Sequence, residues 1–438
     1  MKIEAFLGER AATAFAQNLR MLPRRVHYGA DACDRLAHSL REVCQGSRAV
    51  VLFDRRTRDA AGDACFQSLR TAGWILDECL VPDGVGGRSP VCDDITKECL
   101  KKRIDGGDVF VAVGSGVVND LTKWIAAEAS KPYAVYATAA SMNGYAAANV
   151  APAIRGVKSL FRARAPVVIA ADPAVIASAP HVMTAAGLGD LVAKPVSTAD
   201  WLLGQHLFGE AFSPSIAAII DRVEPLYLSD PQAIAMHAPE AMRALFDALV
   251  LSGCAMTLQG SSLPASGGEH LLSHTLDMLA TVDGSSHDLH GRQVGVATVF
   301  AAELYRRIAE ISSPTFEPPR NDFDASTWGH LAEQVLVEHV GKQQATRHAC
   351  ALLAERGAWT SIRESLRPLL RRPEAIKQCL ADAGAAHRLK DIGCSRGRFL
   401  LAVRSCCSIR KRFTSVDLAF ACGVLPRAAE EIVDQFLV

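Results

Sequence analysis

The feature that most constrains this chain is a change of hydrophobic rhythm near residue 180. Before it, apolar runs of strand length alternate with stretches of helical period. The runs are RAVVLFD (48–54), WILDECLVPD (74–83), DVFVAVG (108–114), YAVYATAAS (133–141) and APVVIAAD (165–172). Between them, AAGDACFQSLRTAG and GVVNDLTKWIAAEAS repeat apolar residues at helical spacing. DGVGG (83–87) reads as a loop, and Ser89-Pro90 as the N-cap and first turn of a helix through Arg103. Strand and helix in alternation predict parallel strands joined by helical crossovers. After residue 180 only helical periodicity remains, over 183–206, 239–259, 267–280, 291–310, 326–355, 358–367 and 372–386. A Pro-rich loop, SSPTFEPPRNDFDAS, interrupts it. The expectation is an α/β nucleotide-binding domain over 1–180 and an all-α metal- and substrate-binding domain over 181–438.

Composition narrows the function classes. At 438 residues, 49% hydrophobic and 21% charged, the chain is long and apolar enough for two packed domains and is not a disordered tract. Lys+Arg and Asp+Glu balance at 47 each, so no global field favours nucleic acid or an anionic membrane. MKIEAFLGER lacks the charged-then-apolar pattern of a secretory signal. The longest apolar stretches, such as APVVIAADPAVIASAP, are cut by Asp and Pro, so no membrane insertion is expected. The 13 cysteines are odd in number and scattered without a CxxC pair. That pattern fits reduced thiols in the cytoplasm better than a disulfide framework.

Two stretches carry chemistry. In VAVGSGVVNDLTKW, Gly114, Ser115 and Gly116 stand between a strand and a helix, followed by Val117 and Val118. Small residues let a backbone approach a phosphate, and a helix start offers unpaired N–H groups to the anion. A tight turn alone explains the same residues. The order differs from the usual dinucleotide fingerprint, where the ribose-binding acid follows the glycines by about 20 residues. Here the best acidic candidate, Asp54, ends a strand about 60 residues before them. Asp54 suits the free hydroxyl of NAD; Arg55 and Arg56 suit the extra phosphate of NADP. Thr138 and Ser141 end the next strand and are candidates for the same crevice.

The second stretch lies in the helical half. His270 and His274, in SGGEHLLSH, share one helical face at i, i+4. His290 opens the next helical pattern in LHGRQVG, and Asp190 sits in AAGLGDLVAK. One carboxylate and two imidazoles form a mixed set suited to Zn²⁺ or Fe²⁺ with a position open for substrate. Spacing permits this convergence without requiring it. Glu269 precedes the histidine pair and does not sit inside it, which argues against a zinc protease.

These segments resemble a family. GSGVVNDLTKW, TAASMNGYAA, APVVIAADPAVI, AAGLGDLVAK with the following ADW, SGGEHLLSH, LHGRQVGVAT and RKRFTSVDLAF occur in the order found in the sn-glycerol-1-phosphate dehydrogenases. That family belongs to the iron-containing alcohol dehydrogenase and dehydroquinate synthase-like superfamily. The resemblance implies a dehydroquinate synthase-like fold and metal ligands at Asp190, His270 and His290. It implies cofactor contacts at Gly114 to Val118, Thr138 and Ser141, and a substrate contact at His274. Lys158 falls where related enzymes carry a basic residue near the substrate. One departure stands out: the family has an acidic residue after TAAS where this chain has Asn143, which adds a donor and removes a charge.

The implied reaction is reversible reduction of dihydroxyacetone phosphate, or of a related phosphorylated or phosphonate carbonyl compound. It would use NAD or NADP with Zn²⁺, Fe²⁺ or Ni²⁺, and it belongs to phospholipid metabolism. The partner implied is a small phosphorylated molecule, with a homo-oligomer left open. A dehydroquinate synthase-like lyase or cyclase that recycles NAD is the alternative on the same scaffold. A non-enzymatic binding protein is a third reading, opposed by the intact ligand set.

Overall fold

The computed structural model describes Phe6, residues 21–319 and residues 323–438. The leader-sequence reading of MKIEAFLGER lies outside the described residues apart from Phe6, as do residues 320–322 of the Pro-rich loop. By internal contact the chain divides into two units. The first comprises residues 1–187 and 222–261, the second residues 188–221 and 262–438.

The first unit is built on a six-stranded parallel sheet. Its strands are β1 (Arg25–Tyr28), β2 (Arg48–Phe53), β3 (Ile75–Leu80), β4 (Val109–Gly114), β5 (Tyr133–Ala137) and β6 (Val168–Ala171), in spatial order β1-β6-β5-β4-β2-β3. Every residue of β4 and β5 is buried, as expected of central strands covered on both faces. β1 was not anticipated from the sequence; four residues are too few to give a period. Helix α1 (Ala32–Val43) follows it, and Leu36, Ala37 and Leu40 reach a core shared with Val51, Phe53, Phe66 and Tyr136. Helix α2 (Asp94–Lys101) starts later than the Ser89-Pro90 signal suggested. Asp93 is its N-cap and accepts from the Thr96 N–H at 2.7 Å, which supplies the partner that Ser89 would have given.

The strand order places a topological switch between β2 and β4. From β2 the chain moves outward to edge strand β3, then returns across β2 to β4 and proceeds the other way through β5 and β6. In open α/β sheets, ligands bind outside the carboxyl ends of the strands at such a switch. Helix α3 (Gly116–Glu128) leaves from that end.

A late helix completes this unit. α4 (Pro239–Gln259) is the most apolar long helix, and 83% of its most apolar window is buried. Its Thr257 hydroxyl donates to the Ala146 carbonyl at 2.7 Å and accepts from the Ala148 N–H at 2.8 Å. Phe246 lies against Tyr28 with ring centroids 5.3 Å apart. The single boundary at residue 180 expected from the sequence is therefore coarser than the contact division, in which residues 222–261 join the sheet.

The second unit is helical. It includes α5 (Lys194–Phe208), α6 (Gly268–Asp283), α7 (His290–Glu310), α8 (Ala332–Leu353) and α9 (Ser415–Ala421). Short helices Ala358–Leu366, Pro373–Asp382, Arg396–Ser405 and Ala429–Phe436 complete it. α6 and α7 are mostly buried: Leu272, Val294, Phe300 and Leu304 are fully enclosed.

Candidate metal centre and cofactor turn

The first unit gathers backbone at the switch point. Leu52 of β2 pairs with Ala112 of β4, and Gly114 of β4 pairs with Ala137 of β5. That register brings Asp54, Gly114 and Thr138 to the carboxyl ends of three adjacent strands. A Cβ on Gly114 would stand 2.7 Å from Val118 Cβ, so only glycine closes the turn this tightly. Ser115 is the residue before α3 and makes no side-chain capping bond, so the helix start is not capped by its own hydroxyl. The Thr138 N–H donates to the Gly114 carbonyl at 3.2 Å, holding the two strand ends together.

Asp54 is nearly buried and has a local task. Its Oδ1 accepts from the Thr57 N–H at 2.9 Å, and the Thr57 hydroxyl accepts from the Asp54 N–H at 3.0 Å, a reciprocal cap. Arg56 is paired to Asp83 at 2.8 Å. Tyr145 donates to the Ala139 carbonyl at 2.7 Å, which braces the loop carrying Ser141 and Asn143. Asn143 is buried, and the backbone carbonyl it carries approaches Gly253 of α4, where a Cβ would come to 2.5 Å. Lys123, fully buried, donates to the carbonyls of Gly144 (2.8 Å) and Asn149 (3.0 Å) and fixes the same loop from beneath. Lys158 is half-buried on a two-residue strand paired with Ala153–Ile154.

The second unit gathers side chains. One ligand atom from each of Asp190, His270 and His290 lies within 4.8 Å of the other two. A close approach of backbones makes this possible. A Cβ on Gly189 would fall 2.1 Å from the Gly291 carbonyl oxygen, and Gly295 lies against the Gly189 backbone. Glycines on both helices let the Asp190 segment sit directly on α7, next to His290. His270 comes from the first turn of α6, its Nε2 3.4 Å from Asp190 Oδ1. His274, one turn further on, stacks on the His290 ring at 5.2 Å with 18° between planes.

The electrostatics fit a cation. Burial works to raise the Asp190 carboxyl, but Lys194, His270 and His290 outweigh it and hold it far below the carboxylate range. Burial works to lower His270, but Asp190 and Glu269 outweigh it and raise it. An anionic oxygen thus faces an imidazole nitrogen across a gap of the kind that a divalent ion fills. A carboxylate and two neutral imidazoles leave a four-coordinate ion one position open.

Several residues beside these ligands have no site role in the sequence reading. Lys194, wholly enclosed, lies 3.4 Å from Asp190 Oδ1 and donates to the Ala265 carbonyl at 3.1 Å. Glu269 Oε1 is 2.7 Å from His270 Nδ1. Ser273 Oγ is 3.0 Å from His290 Nδ1. The Gln293 amide, with its nitrogen turned inward, reaches Ser273 Oγ (2.8 Å) and Asp277 Oδ1 (3.1 Å). Asp200 accepts from the N–H groups of Gly268 and Ser415, each at 2.7 Å, and from the Tyr305 hydroxyl at 2.5 Å. The available signal was a charge at i+4 from Asp190 in an otherwise apolar helix, and polar residues interleaved with the histidines.

Comparison with known proteins bears on the family and the fold. A family model for iron-containing alcohol dehydrogenases matches residues 27–180. The glycerol-1-phosphate dehydrogenase (NAD(P)+) of Bacillus subtilis is 30% identical over 331 residues, covering 75% of this chain and 84% of that protein. The enzyme of the same name from Thermococcus sibiricus is 31% identical over 351 residues, covering 77% and 97%. Among solved structures, a probable glycerol dehydrogenase from Sinorhizobium meliloti superposes with TM-score 0.61 at 19% identity, covering 94% of this chain and 98% of that one. That likeness establishes the fold, and the fold and relatives together define an oxidoreductase of the iron-containing alcohol dehydrogenase class. Within that class, the chain belongs to the glycerol-1-phosphate dehydrogenase family. These relatives are dehydrogenases, so the lyase or cyclase alternative is not favoured.

Proposed function

We propose that this protein catalyses the reversible, NAD(P)-linked reduction of dihydroxyacetone phosphate to sn-glycerol 1-phosphate, or of a closely related phosphorylated or phosphonate carbonyl compound. The observation that carries the proposal is the convergence of Asp190, His270 and His290 in one buried cluster. The names of the relatives support the substrate. The cytoplasm is the compartment proposed, since all 13 cysteines are free thiols.

When bound, a nicotinamide supplies the hydride and a divalent cation supplies Lewis acidity. The chain's own residues do the rest. Asp190 Oδ, His270 Nε2 and a His290 nitrogen would hold the cation and leave one position for the carbonyl oxygen. The N–H groups at the start of α3 and the small side chains of Gly114 to Gly116 receive the pyrophosphate. Val117 and Val118 continue that turn into the helix. Thr138 and Ser141 supply hydroxyls beside it. His274 is proposed to deliver the proton that the reduced oxygen takes up, and its stacking on the His290 ring supports that reading. Lys158 is proposed as a partner of the substrate phosphate. Asn143, where the family carries an acid, offers an N–H donor to substrate and so alters which oxygen is preferred.

The test is a substrate screen read by cofactor absorbance, with Zn²⁺, Fe²⁺ or Ni²⁺ supplied. Turnover of dihydroxyacetone phosphate supports the specific proposal. Turnover only of another phosphorylated or phosphonate carbonyl compound keeps the chemistry and removes this substrate. Asn143→Asp should then shift the ranking of substrates; an unchanged ranking removes Asn143 from substrate recognition.

A further inference from the structure

We infer that Glu269 is a positioning residue that orients His270, making the two imidazoles of the cluster unequal. The inference rests on the metal-site reading above. His270 Nδ1 is 2.7 Å from Glu269 Oε1, and the same oxygen accepts the Gly267 N–H at 2.7 Å. Glu269 is fully buried, in the first turn of α6, where the helix dipole favours a negative charge. An oxygen that already accepts one N–H is well placed to accept the Nδ1–H as well. That fixes the tautomer with the Nε2 lone pair directed to Asp190 and the cation position.

His290 is held differently. Its Nδ1 faces the neutral Ser273 hydroxyl at 3.0 Å, and the hydroxyl is in turn held by Gln293. One imidazole therefore has a buried carboxylate directly behind it, while a neutral hydroxyl and amide stand between the other and the Asp277 carboxylate. A carboxylate behind an imidazole makes it a stronger donor. Glu269 and Asp190 bring two negative charges to the cluster, and Lys194, at 3.4 Å from Asp190, returns one positive charge. Removing Glu269 would leave the ammonium and the cation with only Asp190 to offset them.

Glu269 is itself held at Oε1. The Gly267 N–H fixes Oε1. A Cβ built on Gly267 would stand 2.5 Å from Asp200 Oδ2 and 2.8 Å from Glu269 Oε2, so any larger residue there would displace both carboxylates. The SGGEH segment thus combines room for two buried acids with a ligand histidine placed directly after one of them.

Glu269→Gln tests the idea, since its amide oxygen can still accept both N–H groups while the charge is lost. Zn²⁺ affinity, measured by competition with a chromophoric chelator, should fall about 10- to 100-fold. The visible spectrum of the Co²⁺-loaded protein should shift while the melting temperature of the metal-free protein stays close to wild type. Ser273→Ala should weaken Zn²⁺ by less than Glu269→Gln does. A Zn²⁺ affinity within twofold of wild type, with an unchanged Co²⁺ spectrum, overturns the inference. If Glu269→Gln does not fold, the wild-type Zn²⁺ protein decides by proton NMR with ¹⁵N-labelled histidine. A strongly downfield, slowly exchanging imidazole N–H supports the inference and its absence overturns it. A wild-type protein that binds no metal at all defeats the metal-site reading instead, so the two failures are distinct.

Discussion

The two candidate sites are made of different material. At the end of the parallel sheet, the site is mostly backbone: Gly114 to Gly116, the start of a helix, and strand ends aligned by register. In the helical unit it is side chain: three ligand groups, each with a further side chain beside it. The first kind needs small residues and correct topology. The second needs named chemical groups, and each of those needs a neighbour to fix its tautomer or charge. Single substitutions should therefore act sharply in the helical unit and more gradually at the sheet.

The largest effect should come from His270→Ala. Stoichiometric Zn²⁺ should vanish from elemental analysis, and turnover should fall by about 10³-fold or more, as expected when Lewis-acid stabilisation is lost. Retention of metal at full stoichiometry would remove His270 from the ligand set. Next, Gly189→Val places atoms where the Gly291 carbonyl already stands. Overpacking of this kind costs about 1–3 kcal/mol or more, readable in urea denaturation, and metal should be lost with it. An unchanged midpoint would mean the two helices do not depend on this close approach.

The third prediction concerns pH. Burial, with Glu269 next, pushes the Asp200 carboxyl up to about 7, against the pull of Tyr305 and the Gly268 and Ser415 N–H groups. Its folded value is thus above its unfolded one, so the fold favours the protonated form. The contribution of this group to stability is full below about pH 4 and declines as pH rises toward 7, by at most about 4 kcal/mol. Asp200→Asn should flatten the change in unfolding free energy between pH 5 and pH 8; an identical pH dependence rejects the assignment. The smallest effect belongs to the sheet. Asp54→Ala should raise the KM for NADH about 10-fold with kcat little changed, and should lower stability by about 1 kcal/mol through the lost cap. A change confined to kcat would place Asp54 outside cofactor binding.

The same contrast governs what could be read from the sequence. The α/β pattern and the Gly114 turn were legible because strand runs and glycines leave local marks. Asp190, His270 and His290 were nameable through the ordered motifs, whereas their convergence depends on Gly189 and Gly295, whose role is visible only once two helices cross. Glu269 was noticed only for where it was not. Lys194 and Asp200 stood inside the motifs AAGLGDLVAK and ADW with no task of their own. β1 escaped because four residues carry no period; α4 was legible as a helix over 239–259, but a long, mostly apolar helix does not declare what it packs against.

That last helix has a consequence for synthesis. The sheet's partner, with Phe246 and Thr257, begins only at Pro239, long after the last strand ends at Ala171. A nascent chain that has just delivered its sixth strand still lacks the apolar cover that α4 provides, and it gains that cover only after residues 188–221 have emerged. The N-terminal portion must then wait on the ribosome as an incomplete body with exposed apolar surface, the state in which chaperones engage a chain. A gene fragment stopping at residue 180 would encode that waiting state rather than a free-standing domain.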